Sequence, residues 1–330
     1  MAANLNGNVE DYVIFSSIGF GVPIFLMLLG TSFLSYSNDI KLFLKNDFLK
    51  ILIPFVIWNV ILVFLNIVFN NQLVVTNYKL INDFINYFLI QYWYAWMLIG
   101  TFLTIPIFSE FIKSKKMEGI KYFLVLAILS SVIYQLISYF AIDNFLNLGF
   151  FVGPIIYCFL GFYLDNYKFK QSSNRLFFAG LILFALTSIF IVFFVMFTGS
   201  ADKIFFLQYY DFLTLTNLDI SVVSIIQAVG MFLIFKYLNK GDVSGIVLSI
   251  KKLFKVPFLD KLFNKFSNAA YGIFLVHQII ILLLSNFLIK IDNTLELFVL
   301  AVFIFFLSGA FIYLLSKVIS PSYYIGYFDN

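Results

Sequence analysis

The sequence predicts an all-α, polytopic bundle of transmembrane helices, and three observations carry that prediction. Of 330 residues, 62% are hydrophobic and 21% aromatic, with only 12% charged, far beyond the balance of a soluble domain. Nine windows are long and apolar enough to cross a hydrocarbon core about 30 Å thick, which takes roughly 20 helical residues. The basic residues are also sorted, because 18 of the 21 fall in every second gap between those windows. Backbone polar groups inside a bilayer must bond to one another, so the windows are helices unless the chain closes into a barrel. Continuous apolar runs without two-residue alternation argue against the barrel.

The first window, 13–34, carries Pro23 and ends near the small residues Gly30 and Thr31. Lys41, Lys45 and Lys50 occupy the gap after it. The second, 49–70, has Pro54 near its start and Asn59, Asn66 and Asn70 in series; a row of helix-packing amides and a polar lining both fit that series. The third, 91–112, opens on Tyr92, Trp93, Tyr94 and Trp96. Such rings anchor at the headgroup level, and the functional alternative is that Trp93 and Trp96 stack on a sugar. Lys113, Lys115, Lys116 and Lys121 separate it from the fourth window, 120–141, where Gln135 reads as a packing residue.

The fifth window, 146–164, contains the single cysteine, Cys158, which excludes an internal disulfide and any cysteine-based metal cluster. Lys168, Lys170 and Arg175 follow, then the sixth window at 175–198 and the seventh at 219–238, with Gln227 as its lone amide. The stretch 236–265 holds seven lysines. The eighth window, 269–289, carries His277, and the ninth, 295–319, ends with Lys317.

By the positive-inside rule the lysine-bearing gaps face the cytoplasm, which predicts an external amino terminus, a cytoplasmic carboxyl terminus and residence in the cell membrane. The net charge of +4 is then a topology signal and implies no nucleic-acid partner. Residues 1–12 lack the parts of a cleavable signal. No internal repeat is visible, and residues 1–330 read as a single membrane-embedded domain.

Aspartate and glutamate are confined to window ends and connections, so no midplane carboxylate is available to relay protons or hold a driving cation. His277 is the only histidine and lies about eight residues, roughly 12 Å, into its helix. A histidine there can hydrogen-bond a neighbouring helix without doing chemistry. Tyr271, Gln278 and Ser285 recur at seven-residue spacing on an adjoining face, and polar side chains in series face a cavity or a partner.

The order of local motifs resembles the acyltransferase family 3 of integral-membrane enzymes. Residues 18–34, IGFGVPIFLMLLGTSFL, are similar to the family's V-P-x-F element and small-residue pair. KNDFLKILIPFVIW at 45–58 is similar to its basic loop and proline-bearing helix start, and YWYAWMLIGTFLTIP at 92–106 to an aromatic helix start with a trailing proline. AYGIFLVHQ at 270–278 resembles a late Y-G-I-Y-L-I-H element, with Tyr271, Gly272 and His277 on matching positions. The resemblance extends to 209–236 and to 319–326.

The resemblance implies transfer of an acyl group, acetyl in the simplest case, from cytoplasmic acyl-CoA to a hydroxyl of a cell-surface or lipid-linked sugar, with no tightly bound cofactor. It places His277 and Tyr271 as candidate catalytic groups, Lys45 and Lys50 on the acyl-CoA phosphates, and Trp93, Trp96 and Gln278 toward the sugar or polysaccharide acceptor. It also implies a tenth span before residue 1, bearing the histidine base of the family. The family's arginine pair in the basic loop corresponds here to Asp47 and Lys50. A polysaccharide or lipid-linked-sugar exporter and a non-catalytic membrane partner are the alternative readings.

Overall fold

The computed structural model describes residues 20–35, 39–69, 93–139, 153–198, 222–287 and 294–328. Among them every regular element is helical, as the apolar windows require. The helices are α1 (Gly21–Phe33), α2 (Ile40–Phe69), α3 and α4 (93–115 and 117–139), α5 (Ile155–Asn166) and α6 (Ser173–Thr198). There follow α7 (Val222–Leu238), α8 (Gly245–Phe254), α9 (Pro257–Phe287), α10 (Thr294–Leu315) and a 3-10 turn at Ser322–Ile325. Five stretches are long and apolar enough to cross a membrane: Ile40–Phe69, Trp96–Ser130, Ser173–Phe193, Pro257–Leu284 and Glu296–Leu315. The described parts of α1, α5 and α7 are shorter apolar helices.

Trp96–Ser130 covers two of the windows, and the chain reverses inside it. Lys116 leaves helical geometry at φ 52 and ψ −149. The rings of Phe108 and Phe123 then meet at 6.2 Å, whereas a straight helix would hold them about 22 Å apart. Gly119 allows the reversal, since a Cβ there would lie 2.4 Å from Lys115 Cβ.

Two lysine-rich gaps are helical instead of open loops. The stretch Lys41–Lys50 is the first part of α2, capped by the Asp39 side chain, which accepts from the Lys41 N–H at 3.3 Å. The 239–268 connection contains α8 and the first turns of α9, where Pro257 and Asp260 are suited to a helix start. Hydropathy falls where lysines appear, but lysine is a good helix former, so the helices run on past the apolar windows.

Contacts divide the chain into two compact units, Met1–Ser37 with Thr104–Leu253 and Asn38–Leu103 with Phe254–Asn330. In the first, α1 and α5 touch backbone to backbone. A Cβ on Gly30 would sit 2.0 Å from the Cys158 carbonyl oxygen, and one on Gly161 2.2 Å from that of Met27. Small residues let membrane helices approach in this way. Gly180 and Gly230 bring α6 and α7 together similarly, and Gln227 donates to the Ser188 hydroxyl at 3.2 Å, the packing role expected of a lone amide.

One end of this unit is closed by polar contacts. Lys236 Nζ donates to the carbonyls of Leu164 and Asp165 at 2.6 Å each and lies 3.3 Å from the Asp165 carboxylate. It thereby satisfies the last turn of α5, where carbonyls lack intrahelical partners. Ser173 donates to Asp242 at 2.6 Å, and Asn174 exchanges bonds with Ser244.

The second unit is built from α2, the start of α3, α9, α10 and the carboxyl-terminal segment. The Gly272 N–H donates to Gly326 O and the Phe328 N–H to Asn268 O, both at 2.9 Å. That segment therefore adds two backbone bonds to α9, four residues apart. Gly326, at φ +81, would place a Cβ 2.8 Å from the Gly272 nitrogen, so both sides of the contact need glycine.

Candidate functional site

Most of the residues singled out in the sequence lie in the second unit, where α2 and α9 pack. Pro54 has no N–H, which leaves the Lys50 carbonyl without its helical partner within α2. At that point the buried Tyr271 hydroxyl donates to the Ile51 carbonyl at 2.9 Å. The bond ties the Tyr271–Gly272 element of α9 to the residue beside Lys50. On the same helix, the Trp58 indole donates to Ile325 O at 3.2 Å.

Lys45 and Lys50 flank an unusual turn. Residues Leu44–Phe48 wind as a π-turn, and the Leu49 N–H donates to Leu44 O five residues back. In a regular α-helix, side chains five apart diverge by about 140°. The wider turn narrows that divergence. Both lysines are exposed, and Asp47 between them is half-buried.

His277 is half-buried on α9, with Nδ1 2.5 Å from the Phe274 carbonyl oxygen. A carbonyl can only accept, so Nδ1 carries the proton and Nε2 of the neutral ring keeps its lone pair. Six positions separate His277 from Tyr271, about 9 Å along the axis and about 120° around it. Gln278 is half-buried and falls on the Tyr271 stripe, about 20° from it.

Trp96 packs its ring edge-on against the buried Phe55 at 4.9 Å. Phe55 lies near the middle of α2, so this tryptophan makes a packing contact within the unit. Trp93 is the first residue of α3. The structure thus brings Tyr271 onto the α2 start that bears Lys45 and Lys50, and gives Trp96 a separate contact. Asn59 and Asn66 are buried on α2, and Asn66 donates to Leu62 O at 3.0 Å. Asn70 lies outside the described residues.

Sequence reasoning missed the carboxyl-terminal segment as part of this neighbourhood, together with Trp58, which holds it. The glycines Gly272 and Gly326 were the available signal, but glycine spacing alone does not say which two backbones meet.

A family model described as an acyltransferase domain matches residues 3–317. No curated protein matches the chain, and no solved structure does. With 315 of 330 residues inside the match, the chain belongs to acyltransferase family 3, the family its local motifs resemble.

Proposed function

From that membership of a membrane acyltransferase family we propose that the protein transfers an acyl group, acetyl in the simplest case, from acyl-CoA to a hydroxyl of a cell-surface or lipid-linked sugar. The observation that carries the reading is the Tyr271–Ile51 hydrogen bond. It fixes the α9 element bearing His277 against the part of α2 that follows Lys45 and Lys50.

In this reading the two ammonium groups hold the phosphates of acyl-CoA on the cytoplasmic side, as point charges. The acceptor hydroxyl oxygen attacks the thioester carbonyl carbon, the carbon–sulfur bond breaks, and coenzyme A leaves as a thiolate that takes up a proton. A hydroxyl is a poor nucleophile near neutral pH, so a base must accept its proton during attack. His277 lines the reaction cavity, where its Nε2 lone pair accepts that proton or orders the group that does. Tyr271 is a positioning residue, since its own proton is engaged by a backbone carbonyl. Gln278, Trp93 and Trp96 are the residues assigned to the acceptor.

Acyl-CoA binding to purified protein tests the donor assignment. Lys50→Ala and Lys45→Ala are expected to weaken binding several-fold at moderate salt, and unchanged affinity in both removes the assignment. Transfer assays with His277→Ala test the second: intact transfer would leave His277 a packing role alone.

A further inference from the structure

We propose that Lys265, Tyr313 and Lys317 form a binding site for the phosphate headgroup of an anionic phospholipid. The site stands apart from the acyl-transfer reading and needs only that α9 and α10 are membrane helices. Lys265 Nζ lies 4.4 Å from the centre of the Tyr313 ring, and Lys317 Nζ lies 5.0 Å from the same centre. Two like charges gathered on one ring repel each other. Neither lysine forms an ion pair among the described residues. An anion between them would relieve the repulsion, and a phosphate diester offers oxygens to both ammoniums at once.

The surroundings favour a lipid over a free phosphate. Tyr313 stands two residues before the end of the apolar helix α10, where a membrane span meets the headgroups and aromatic rings and lysines gather. Val318, next to Lys317, is 83% exposed. On α9, Lys261 lies within about 40° of Lys265, while Asp260 points about 140° from Lys265. An exposed apolar side chain beside lysines that form no ion pair among the described residues is what an anionic bilayer surface holds and what a water-soluble phosphate does not require.

The full-length protein, purified in neutral detergent, is offered phosphatidylglycerol or phosphatidylcholine, and retained lipid is read by native mass spectrometry. The wild type is expected to prefer phosphatidylglycerol by up to roughly thirty-fold, because both lipids offer a phosphate but the cationic choline of phosphatidylcholine repels the two lysines. Lys265→Gln with Lys317→Gln should bring the two lipids near parity, with the unfolding midpoint in dodecyl sulfate unchanged. Lys265→Arg with Lys317→Arg, which keeps both charges, should retain the preference. Equal preference in the wild type and the double glutamine variant overturns the proposal. If that variant fails to fold, Lys265→Gln and Lys317→Gln are compared singly, and an unchanged preference in both overturns the proposal. Displacement of the lipid by excess coenzyme A reassigns the cluster to a soluble phosphate and overturns it as a lipid site.

Discussion

Replacing Gly30 by alanine is the sharpest test of how the first unit packs, because the opposing surface is backbone and cannot rotate away. The added methyl would lie 2.0 Å from the Cys158 carbonyl oxygen and 2.5 Å from the carbonyl carbon, whereas ordinary contact begins at 3.4 Å. α1 and α5 must therefore separate by about 1.4 Å. Separation also loosens the matching contact of Gly161 with Met27, since the two glycines face opposite partners across one interface. Overpacking of this kind costs about 1–3 kcal/mol. Alanine returns up to about 1 kcal/mol by stiffening the unfolded chain and favouring helix. Gly100→Ala is the control: nothing lies within 4 Å of a Cβ there, so only the favourable part remains. Titration of the detergent-solubilised protein with dodecyl sulfate, followed by helicity, measures both. Gly30→Ala should lose stability and Gly100→Ala gain it; the favourable part is common to both, so the gap is the overpacking cost of about 1–3 kcal/mol. Equal shifts for the two variants would refute the backbone contact between α1 and α5.

Tyr271→Phe removes the hydrogen bond to Ile51 and keeps the ring, so stability in the same titration should fall by only about 0.6–1.5 kcal/mol; no change means the bond contributes nothing. Lys236→Met leaves the final carbonyls of α5 unsatisfied, for an expected loss of about 1–3 kcal/mol. The Ser173 hydroxyl bonded to Asp242 holds that carboxyl below the usual carboxylate range. Because the folded value is the lower one, the stabilisation is present above the ordinary range of about 4 and fades as pH falls through the depressed value. Ser173→Ala should lower the unfolding midpoint at neutral pH and flatten its acid dependence; parallel pH curves for both proteins would argue against the pairing.

The helical class and the rough position of each apolar helix could be read from composition and hydropathy, because the bilayer allows little else. The reversal at Lys116 falls within the lysine-bearing gap that separates the third and fourth windows. Helix ends were less legible. The lysines of α2 and of early α9 mark where apolar character stops, and a hydropathy window cannot see that backbone bonding continues through them. The π-turn between Lys45 and Lys50 is a local choice without a sequence signature. The pairing of Tyr271 with Ile51, and of Gly272 with Gly326, joins residues far apart in the chain. Neither follows from spacing along a single helix. Trp96 was singled out for its aromatic setting, and its contact with Phe55 shows that the same ring serves packing.

The most direct test of the acyltransferase reading is release of free thiol from acyl-CoA by purified protein in liposomes, with a sugar acceptor present and absent. Acceptor-dependent thiol release that falls in Lys50→Ala is the predicted result. Movement of a lipid-linked sugar across the bilayer without thiol release would contradict it and favour an exporter.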